Sequence, residues 1–253
     1  MSALLCVVAH PDDETILCGG TLAWLASSGV AVHYLCLTRG EGGELGEPPR
    51  CTRAELGQVR EREMVCAVQA LGGKSLTFLG YVDPEVGPDE TLSAPAADLV
   101  MLAGQVVNSL KQFVAMASPC QVVLTHGSNG EYGHPAHQLT HRATLAAVAS
   151  LGDSAPVLYS FAASYPGHPY PRLSNADDPA DLVVNVSAYL DRKEAAARCH
   201  DTQTALFVRR RSQMAGRPLT LREVLLAEEA FRRHWPTESR GNDLFVEWLS
   251  AST

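Results

Sequence analysis

Residues 3–14 have the sequence ALLCVVAHPDDE, an apolar run that ends in a histidine, a proline and three acidic residues. A short apolar run that stops at a polar loop is typical of a strand buried on both faces of a parallel sheet. We therefore predict a buried strand over residues 3–9. In open α/β sheets ligands bind at the carboxyl ends of the strands, so residues 10–14 are the first candidates for chemistry.

The pattern set by this first strand continues along the chain. The predicted elements are strands at 31–38, 75–81, 121–126 and 157–163 and helices at 19–27, 53–71, 98–115 and 138–150. Their alternation predicts an α/β fold, with a Rossmann-like, mostly parallel sheet and helices on both faces. Beyond it we predict an edge strand over 182–186, a helix from Ser187 to Phe207 and a mostly helical tail.

The composition excludes several classes of protein. The 253 residues carry a net charge of -8, and the densest basic run, Arg209 to Arg211, is too short for a nucleic-acid surface. The apolar run at residues 3–9 is far shorter than a membrane span, and no basic segment precedes it. We expect a cytoplasmic protein that binds neither nucleic acid nor membrane.

The cysteines indicate neither a disulfide framework nor a thiolate zinc site. They are odd in number, widely scattered and without a Cys-x-x-Cys pair. We expect reduced core residues at positions 6, 18, 36, 51, 66, 120 and 199.

The acidic loop after the first strand is a candidate metal site. Asp12, Asp13 and Glu14 adjoin a buried strand end, where three anions repel each other unless a cation is bound. A solvated acidic turn is the simpler alternative. Pro11 restrains the backbone so that His10 and Asp13 can converge, and with a second histidine they would complete an open catalytic zinc site.

A second loop supplies such histidines. Four of the nine histidines lie in sixteen residues after the fourth strand, at positions 126, 134, 137 and 141. His137 has metal-compatible spacing both to His134 and to His141, so it is the preferred ligand. A strand order of 3-2-1-4-5 would place the first and fourth strands side by side and bring the two loops together.

Residues 8–14 with Gly19-Gly20, and residues 132–137, resemble the LmbE/PIG-L-type zinc N-acetylglucosaminyl deacetylases. Members of that family act on N-acetylated glucosaminyl compounds, including precursors of sugar-containing thiols. The resemblance extends loosely over residues 3–205 of a single domain, 1–253, and leaves residues 206–253 as an extension. It implies a zinc ion held by His10, Asp13 and His137 together with water, although another divalent metal could serve.

The resemblance also implies roles for four further residues. Asp12 falls where the family has its general base, and His134 where it has a histidine that stabilises the oxyanion. Tyr132 matches a tyrosine beside the reacting carbonyl. Arg60 aligns with a substrate-binding arginine, or is an exposed helix arginine paired with Glu63. Apart from the resemblance, Glu14 is expected either to pack or hydrogen-bond behind the metal loop or to orient a ligand.

One departure from the family pattern concerns residue 136. The family often has His-Pro-Asp-His where this chain has His134-Pro135-Ala136-His137. An aspartate there would set the tautomer and basicity of His134, so Ala136 leaves the charge state of that histidine open.

The sequence therefore predicts a hydrolase that removes the acetyl group from an N-acetylglucosaminyl small molecule by metal-activated water. Alternatives are an amidase or deacylase acting on a thiol conjugate or a natural product, and a non-catalytic metal-binding relative. A non-haem iron oxygenase would also use two histidines and a carboxylate, but with His-x-Asp spacing on a β-sandwich. The chain could form a homo-oligomer.

Overall fold

The computed structural model describes residues 2–81, 83, 96–115, 119–237 and 243–250. The first part of the chain alternates strands and helices: β1 (Ala3–Val8), α1 (Asp13–Ser27), β2 (Ala31–Thr38), α2 (Leu56–Leu71), β3 (Ser75–Tyr81), α3 (Ala96–Ala115), β4 (Cys120–Thr125), α4 (Gly130–Gly133), α5 (Pro135–Ala149) and β5 (Val157–Phe161). The later elements are β6 (Ala163–Ser164), β7 (Asn175–Pro179), β8 (Leu182–Asn185), α6 (Leu190–Cys199), α7 (Asp201–Ala215), α8 (Leu221–Val224), β9 (Glu228–Trp235) and α9 (Leu244–Ser250).

Seven strands form the central sheet, in the order β3-β2-β1-β4-β5-β9-β8. The first five of these are parallel, whereas β9 runs antiparallel to both β5 and β8. The α/β fold with a mostly parallel sheet is confirmed, as is the strand order 3-2-1-4-5. Strand order reverses at β1, where Cys6 lies opposite both Tyr34 of β2 and Leu124 of β4.

The core lies on both faces of this sheet, which explains why β1 is apolar at every position. Leu4, Cys6 and Val8 pack into a cluster that includes residues of α1, α2 and α6. Leu5 and Val7 point the other way, into a cluster with α3 and α5. The polar residues that follow β1 are therefore fixed at the edge of a fully packed layer.

Helix α1 begins at Asp13, six residues earlier than predicted, so the glycine pair lies inside it. The helix is kinked at Cys18, whose φ is -149°. A Cβ on Gly20 would lie 2.5 Å from Val186 Cγ2, so only glycine permits this close approach. The backbone N–H groups of Gly20 and Thr21 donate to the buried carboxylate of Glu229 on β9.

The prediction of a mostly helical segment over residues 206–253 missed β9, which lies inside the sheet. Charged residues dominate the β9 sequence EEAFRRHW, so the local pattern carries no strand signal. Its charges are neutralised by distant residues: Lys193 pairs with Glu229 at 2.6 Å, and Asp181 pairs with Arg232 at 3.0 Å. Tertiary pairing therefore overrides local propensity here.

The helix predicted from Ser187 to Phe207 is two helices, α6 and α7, which meet at His200. The cysteine prediction was also wrong for one pair, because Cys66 of α2 and Cys199 of α6 form a disulfide with a Cα–Cα distance of 5.7 Å. These residues are 133 positions apart and become neighbours only when α2 packs on α6. Within the described ranges, no helix combines the length and apolarity needed to cross a bilayer.

Candidate active site

The loops that follow β1 and β4 meet at the carboxyl edge of the sheet and bring the three predicted metal ligands together. His10 Nδ1 lies 3.2 Å from His137 Nε2 and 3.5 Å from Asp13 Oδ2, and His137 Nε2 lies 3.4 Å from Asp13 Oδ1. Donors around a tetrahedral zinc ion at about 2.1 Å are separated by about 3.4 Å. All three side chains are buried, and the two imidazoles and one carboxylate fit a divalent metal.

Two other histidines border this triad. Groups of ligand atoms within 4.8 Å of one another are His10 with His134 and His137, and Asp13 with His126 and His137. His126 is unsuited as a ligand, because its Nε2 faces the N–H of Ala9 at 3.0 Å and its Nδ1 faces a carboxylate. Both ring nitrogens of His126 are therefore already occupied by protein groups.

Carboxylates behind the triad fix the orientation of both histidine ligands. Glu131 Oε2 accepts hydrogen bonds from His137 Nδ1 at 2.5 Å and from His126 Nδ1 at 3.0 Å. Asp83 Oδ1 lies 3.2 Å from His10 Nε2. In each ligand the nitrogen that faces away from the triad thus meets a carboxylate, which sets the tautomer and increases basicity.

Glu131 was not identified from the sequence, although it lies within the histidine-rich loop. Its backbone has a positive φ of 57°, and its N–H donates to Asn175 Oδ1 at 2.9 Å. Burial alone would raise the pKa of Glu131, but His126 and His137 hold it well below its usual range. The carboxylate is therefore ionised, which suits an acceptor of several N–H groups.

Asp12 stands beside the triad with its side chain held by Arg60. The backbone φ of Asp12 is 116°, in the left-handed region. Arg60 Nη2 donates to Asp12 Oδ2 at 2.8 Å and to the Pro11 carbonyl oxygen at 2.5 Å. Burial raises the pKa of Asp12 to about 7, against the opposing effect of Arg60. A carboxyl group with such a pKa is well matched to proton transfer near neutral pH.

The position of Arg60 is incompatible with the exposed-arginine alternative, whereas its predicted role in substrate binding stays a prediction. Only 3% of the residue is exposed, so it is not a solvent-facing helix arginine. Its Nη1 donates to the Gly40 carbonyl oxygen at 2.8 Å, and its Nη2 is occupied by the Asp12 loop. A Cβ on Gly40 would lie 2.1 Å from Arg60 Nη1, so the glycine-rich loop is shaped around this guanidinium.

His134 and Tyr132 line the open side of the triad. The His134 ring centroid lies 4.7 Å from that of His10 and 4.5 Å from that of His137. Tyr132, 41% exposed, has its ring 5.7 Å from His134 and 5.6 Å from His137. Both side chains thus adjoin the histidines of the triad, and Tyr132 extends from there to the protein surface.

The charge state of His134, which the sequence left open, follows from its surroundings. Burial, followed by the neighbouring His10 and His137, lowers the pKa of His134 to about 3, so this histidine is neutral. The backbone N–H of Ala136 donates to His134 Nδ1 at 3.2 Å. This bond leaves the proton on Nε2 and sets the tautomer without an aspartate at position 136.

His141 is not part of the triad, although its spacing to His137 suggested a ligand. Its Nδ1 is bonded to the His126 carbonyl oxygen at 2.9 Å, and its ring packs edge-on against His234. It therefore supports the loop from behind.

Solved structures that resemble this chain show the same fold. The N,N'-diacetylchitobiose deacetylase from Pyrococcus horikoshii has a TM-score of 0.61 and 20% identity, covering 96% of this chain and 88% of its own. The 4-carboxy-2-hydroxymuconate hydratase GalB from Pseudomonas putida has a TM-score of 0.60 and 24% identity, covering 96% of this chain and 100% of its own. At these identities the likeness concerns the fold alone.

Sequence relatives are more informative. A 1D-myo-inositol 2-acetamido-2-deoxy-alpha-D-glucopyranoside deacetylase from Thermobifida fusca is 32% identical, covering 95% of this chain and 96% of its own. A probable N-acetyl-alpha-D-glucosaminyl L-malate deacetylase 2 from Bacillus cereus is 29% identical, covering 79% and 83%. The PIG-L family model, described as GlcNAc-PI de-N-acetylase, matches residues 5–148, more than half of the chain. The resemblance is thereby confirmed, and the chain belongs to the PIG-L family.

Proposed function

We propose that this protein is a zinc-dependent deacetylase that hydrolyses the N-acetyl group of an N-acetylglucosaminyl compound. The observation that carries the proposal is the convergence of His10, Asp13 and His137, with the carboxyl group of Asp12 beside them. Membership of the PIG-L family and deacetylase relatives of nearly full length support the same chemistry. An amide bond in an uncharged acetamido group is a substrate that such a site can attack.

The three buried donors are the residues that would hold the zinc ion. When bound there, zinc supplies a Lewis acid that lowers the pKa of a coordinated water from 15.7 to about 7. Two nitrogen donors and one carboxylate leave an open position for water and substrate, as expected of a catalytic rather than a structural site.

Asp12 is the proposed general base. Its carboxylate takes a proton from the attacking water and later returns it to the nitrogen of the departing amine. Arg60 fixes the carboxylate by a hydrogen bond of 2.8 Å, which leaves its other oxygen for the proton transfer. Both steps need the same group near the scissile bond, and they balance because the proton removed from water leaves on the amine.

His134 and Tyr132 are the proposed donors to the developing oxyanion. Neutral His134 offers its Nε2–H, in place of the imidazolium considered from the sequence. Partial burial of the side chain and the charges of Asp13 and Asp12 raise the pKa of Tyr132, which keeps its hydroxyl proton available. Such a donor typically contributes about 3 kcal/mol to transition-state stabilisation.

The experiment is to measure acetate release from N-acetylglucosaminyl inositol and malate glycosides by zinc-loaded, chelated and Asp12→Asn protein. We expect release that requires metal and is abolished by Asp12→Asn with zinc still bound. Asp191→Asn is the matched control, since the Asp191 side chain is 92% exposed and pairs with Arg222. Release that survives Asp12→Asn would refute the assignment of the base.

Two alternatives are decided by the same assay. An amidase for a thiol conjugate or a natural product would cleave such amides but release no acetate from the glycosides. A non-catalytic relative would bind zinc stoichiometrically and hydrolyse none of these compounds. Loading with manganese, cobalt or nickel in place of zinc shows which divalent ion gives the highest rate.

We further propose a cytoplasmic location and assembly into a homo-oligomer. Because thiols are usually kept reduced in the cytoplasm, this location predicts that Cys66 and Cys199, which form a disulfide in the structure, are reduced in the cell. Cell fractionation with rapid thiol alkylation tests the first proposal, and an exported, fully oxidised protein would contradict it. Light-scattering mass measurement tests the second, which a monomeric mass at all concentrations would contradict.

A further inference from the structure

The backbone at Asp12 adopts a conformation that an L residue rarely occupies. Its φ is 116° and its ψ is -28°. Such conformations persist only where neighbouring groups enforce them. The carbonyl oxygen of Asp12 accepts the N–H groups of Thr15 and Ile16 in the first turn of α1, which leaves its own N–H to be held by a side chain.

Glu14 supplies that side chain. The N–H of Asp12 donates to Glu14 Oε2 at 3.0 Å. The other oxygen, Oε1, accepts from the Thr15 hydroxyl at 2.5 Å and faces His200 Nε2 at 2.9 Å. Glu14 and His200 are both 0% exposed, so this carboxylate has no solvent to exchange with and keeps one orientation.

The segment that begins at His200 also contacts α2, the helix that carries Arg60. Thr202 donates from its N–H and its hydroxyl to the two carboxylate oxygens of Glu63, at 2.8 and 2.7 Å. Glu63 lies one turn after Arg60 on α2, and Arg60 holds the Asp12 side chain. Residues 200–202 lie beyond residues 5–148 matched by the family model. They thus hold Glu14, which fixes the Asp12 backbone, and they contact the helix that carries Arg60.

We infer that Glu14, held by His200, is a positioning residue that fixes the Asp12 backbone so that its carboxylate faces the attacking water. The inference rests on the proposed function. Loss of this support lets Asp12 relax from its left-handed conformation and moves the carboxylate away from the water. Chemistry then slows, whereas substrate binding and the metal ligands are left in place.

Glu14→Gln is the first test. Glutamine has only one acceptor oxygen. Its NH₂ group would therefore replace one carboxylate oxygen and face either the Asp12 N–H or the Thr15 hydroxyl and His200 Nε2. Because misplacing a catalytic group by about 1 Å can cost about 100-fold, we expect kcat to fall by at least about tenfold with KM within about twofold. Bound zinc per chain should match that of the wild type.

The His200 variants test the second link and keep the inference falsifiable if Glu14→Gln does not fold. His200→Gln can place an amide N–H near the original Nε2, so its kcat should stay within about threefold of the wild-type value. His200→Leu has no such donor, so its kcat should fall about tenfold.

Two valine substitutions on α1 form a matched pair. Thr15→Val removes a donor to Glu14 and should lower kcat about threefold. Thr21→Val removes a buried hydroxyl that has no hydrogen-bond partner among the described residues, and it should leave kcat unchanged.

The outcomes separate the two proposals. Glu14→Gln or His200→Leu protein with wild-type kcat, while Asp12→Asn is inactive, would overturn the positioning role alone. A parallel loss of kcat, zinc and melting temperature would also overturn it, since that indicates a structural role. Wild-type, zinc-loaded protein that releases no acetate would instead overturn the proposed function.

Discussion

Glu131→Gln should weaken metal binding without touching a metal ligand. Four donors converge on this carboxylate: His126 and His137 on Oε2, and the Gly127 N–H and the Asn175 amide on Oε1. Glutamine has the same size but only one acceptor oxygen, so donors on the other side would face an NH₂ group. The N–H of His137 would lose its charged acceptor, and with it the tautomer that presents Nε2 to the metal.

The expected magnitude follows from these contacts. Loss of a partner behind a metal ligand typically weakens metal affinity by about 10- to 100-fold, or about 1.4 to 2.8 kcal/mol. The upper half of that range applies here, because Glu131 is ionised, 4% exposed and in contact with two histidines. Removal of a single hydrogen bond at the rim of the site would instead give a loss of metal affinity in the lower half of that range.

The assay is competition for zinc against a chromophoric chelator at fixed pH. Glu228→Gln is the matched control, since Glu228 is exposed and its partner is the Tyr165 hydroxyl. An unchanged zinc dissociation constant in Glu131→Gln would refute the argument that this carboxylate sets the tautomer of His137. A variant that has lost its fold, seen by circular dichroism, would be replaced by Asn175→Asp, which sets a second carboxylate against Glu131 and should also weaken zinc binding.

Three further predictions concern catalysis and stability. Arg60→Met should lower kcat about 100-fold, because it frees the Asp12 side chain; steady-state kinetics with wild-type activity would contradict this. Burial, followed by His141, lowers the pKa of His234 to about 4, so the stability it contributes is complete above pH 6.5 and declines as the pH falls toward 4. Between pH 7 and pH 5, the free energy of unfolding of the metal-free wild type should fall by on the order of 1–2 kcal/mol more than that of His234→Gln, after allowance for solvent screening. Urea unfolding at the two pH values measures this difference, and equal losses in the two proteins would contradict it. Gly20→Ala should destabilise the fold by about 1–3 kcal/mol, since its Cβ would overlap Val186, and an unchanged melting temperature would count against that contact.

The sequence was most informative where local pattern and tertiary structure agree. The strand at β3 was predicted with its observed bounds, Ser75–Tyr81, and β2 likewise, Ala31–Thr38. Both are runs rich in β-prone residues, buried in β2 and partly exposed in the edge strand β3. The spacing of the histidine and aspartate side chains on two adjacent strand ends similarly anticipated that the predicted ligands would meet.

What escaped the sequence depends on residues far apart in the chain. Strand β9 is stabilised by Lys193 and Asp181, and Glu131 acquires its importance only because Asn175 and two histidines surround it. The Cys66–Cys199 pair needs α2 against α6. Each of these features arises from packing between segments whose separate sequences are unremarkable, so periodicity and motif spacing carry no trace of them.

The placement of β9 has a consequence for how the protein is made. Glu229 accepts the backbone N–H of Gly20 across a sequence separation of 209 residues, and that of Thr21 across 208. During synthesis the kinked first helix therefore leaves the ribosome with two donors that water must satisfy until the last strand arrives. Because the domain closes only when β9 enters between β5 and β8, a nascent chain halted at residue 227 would expose an open sheet edge to chaperones and proteases.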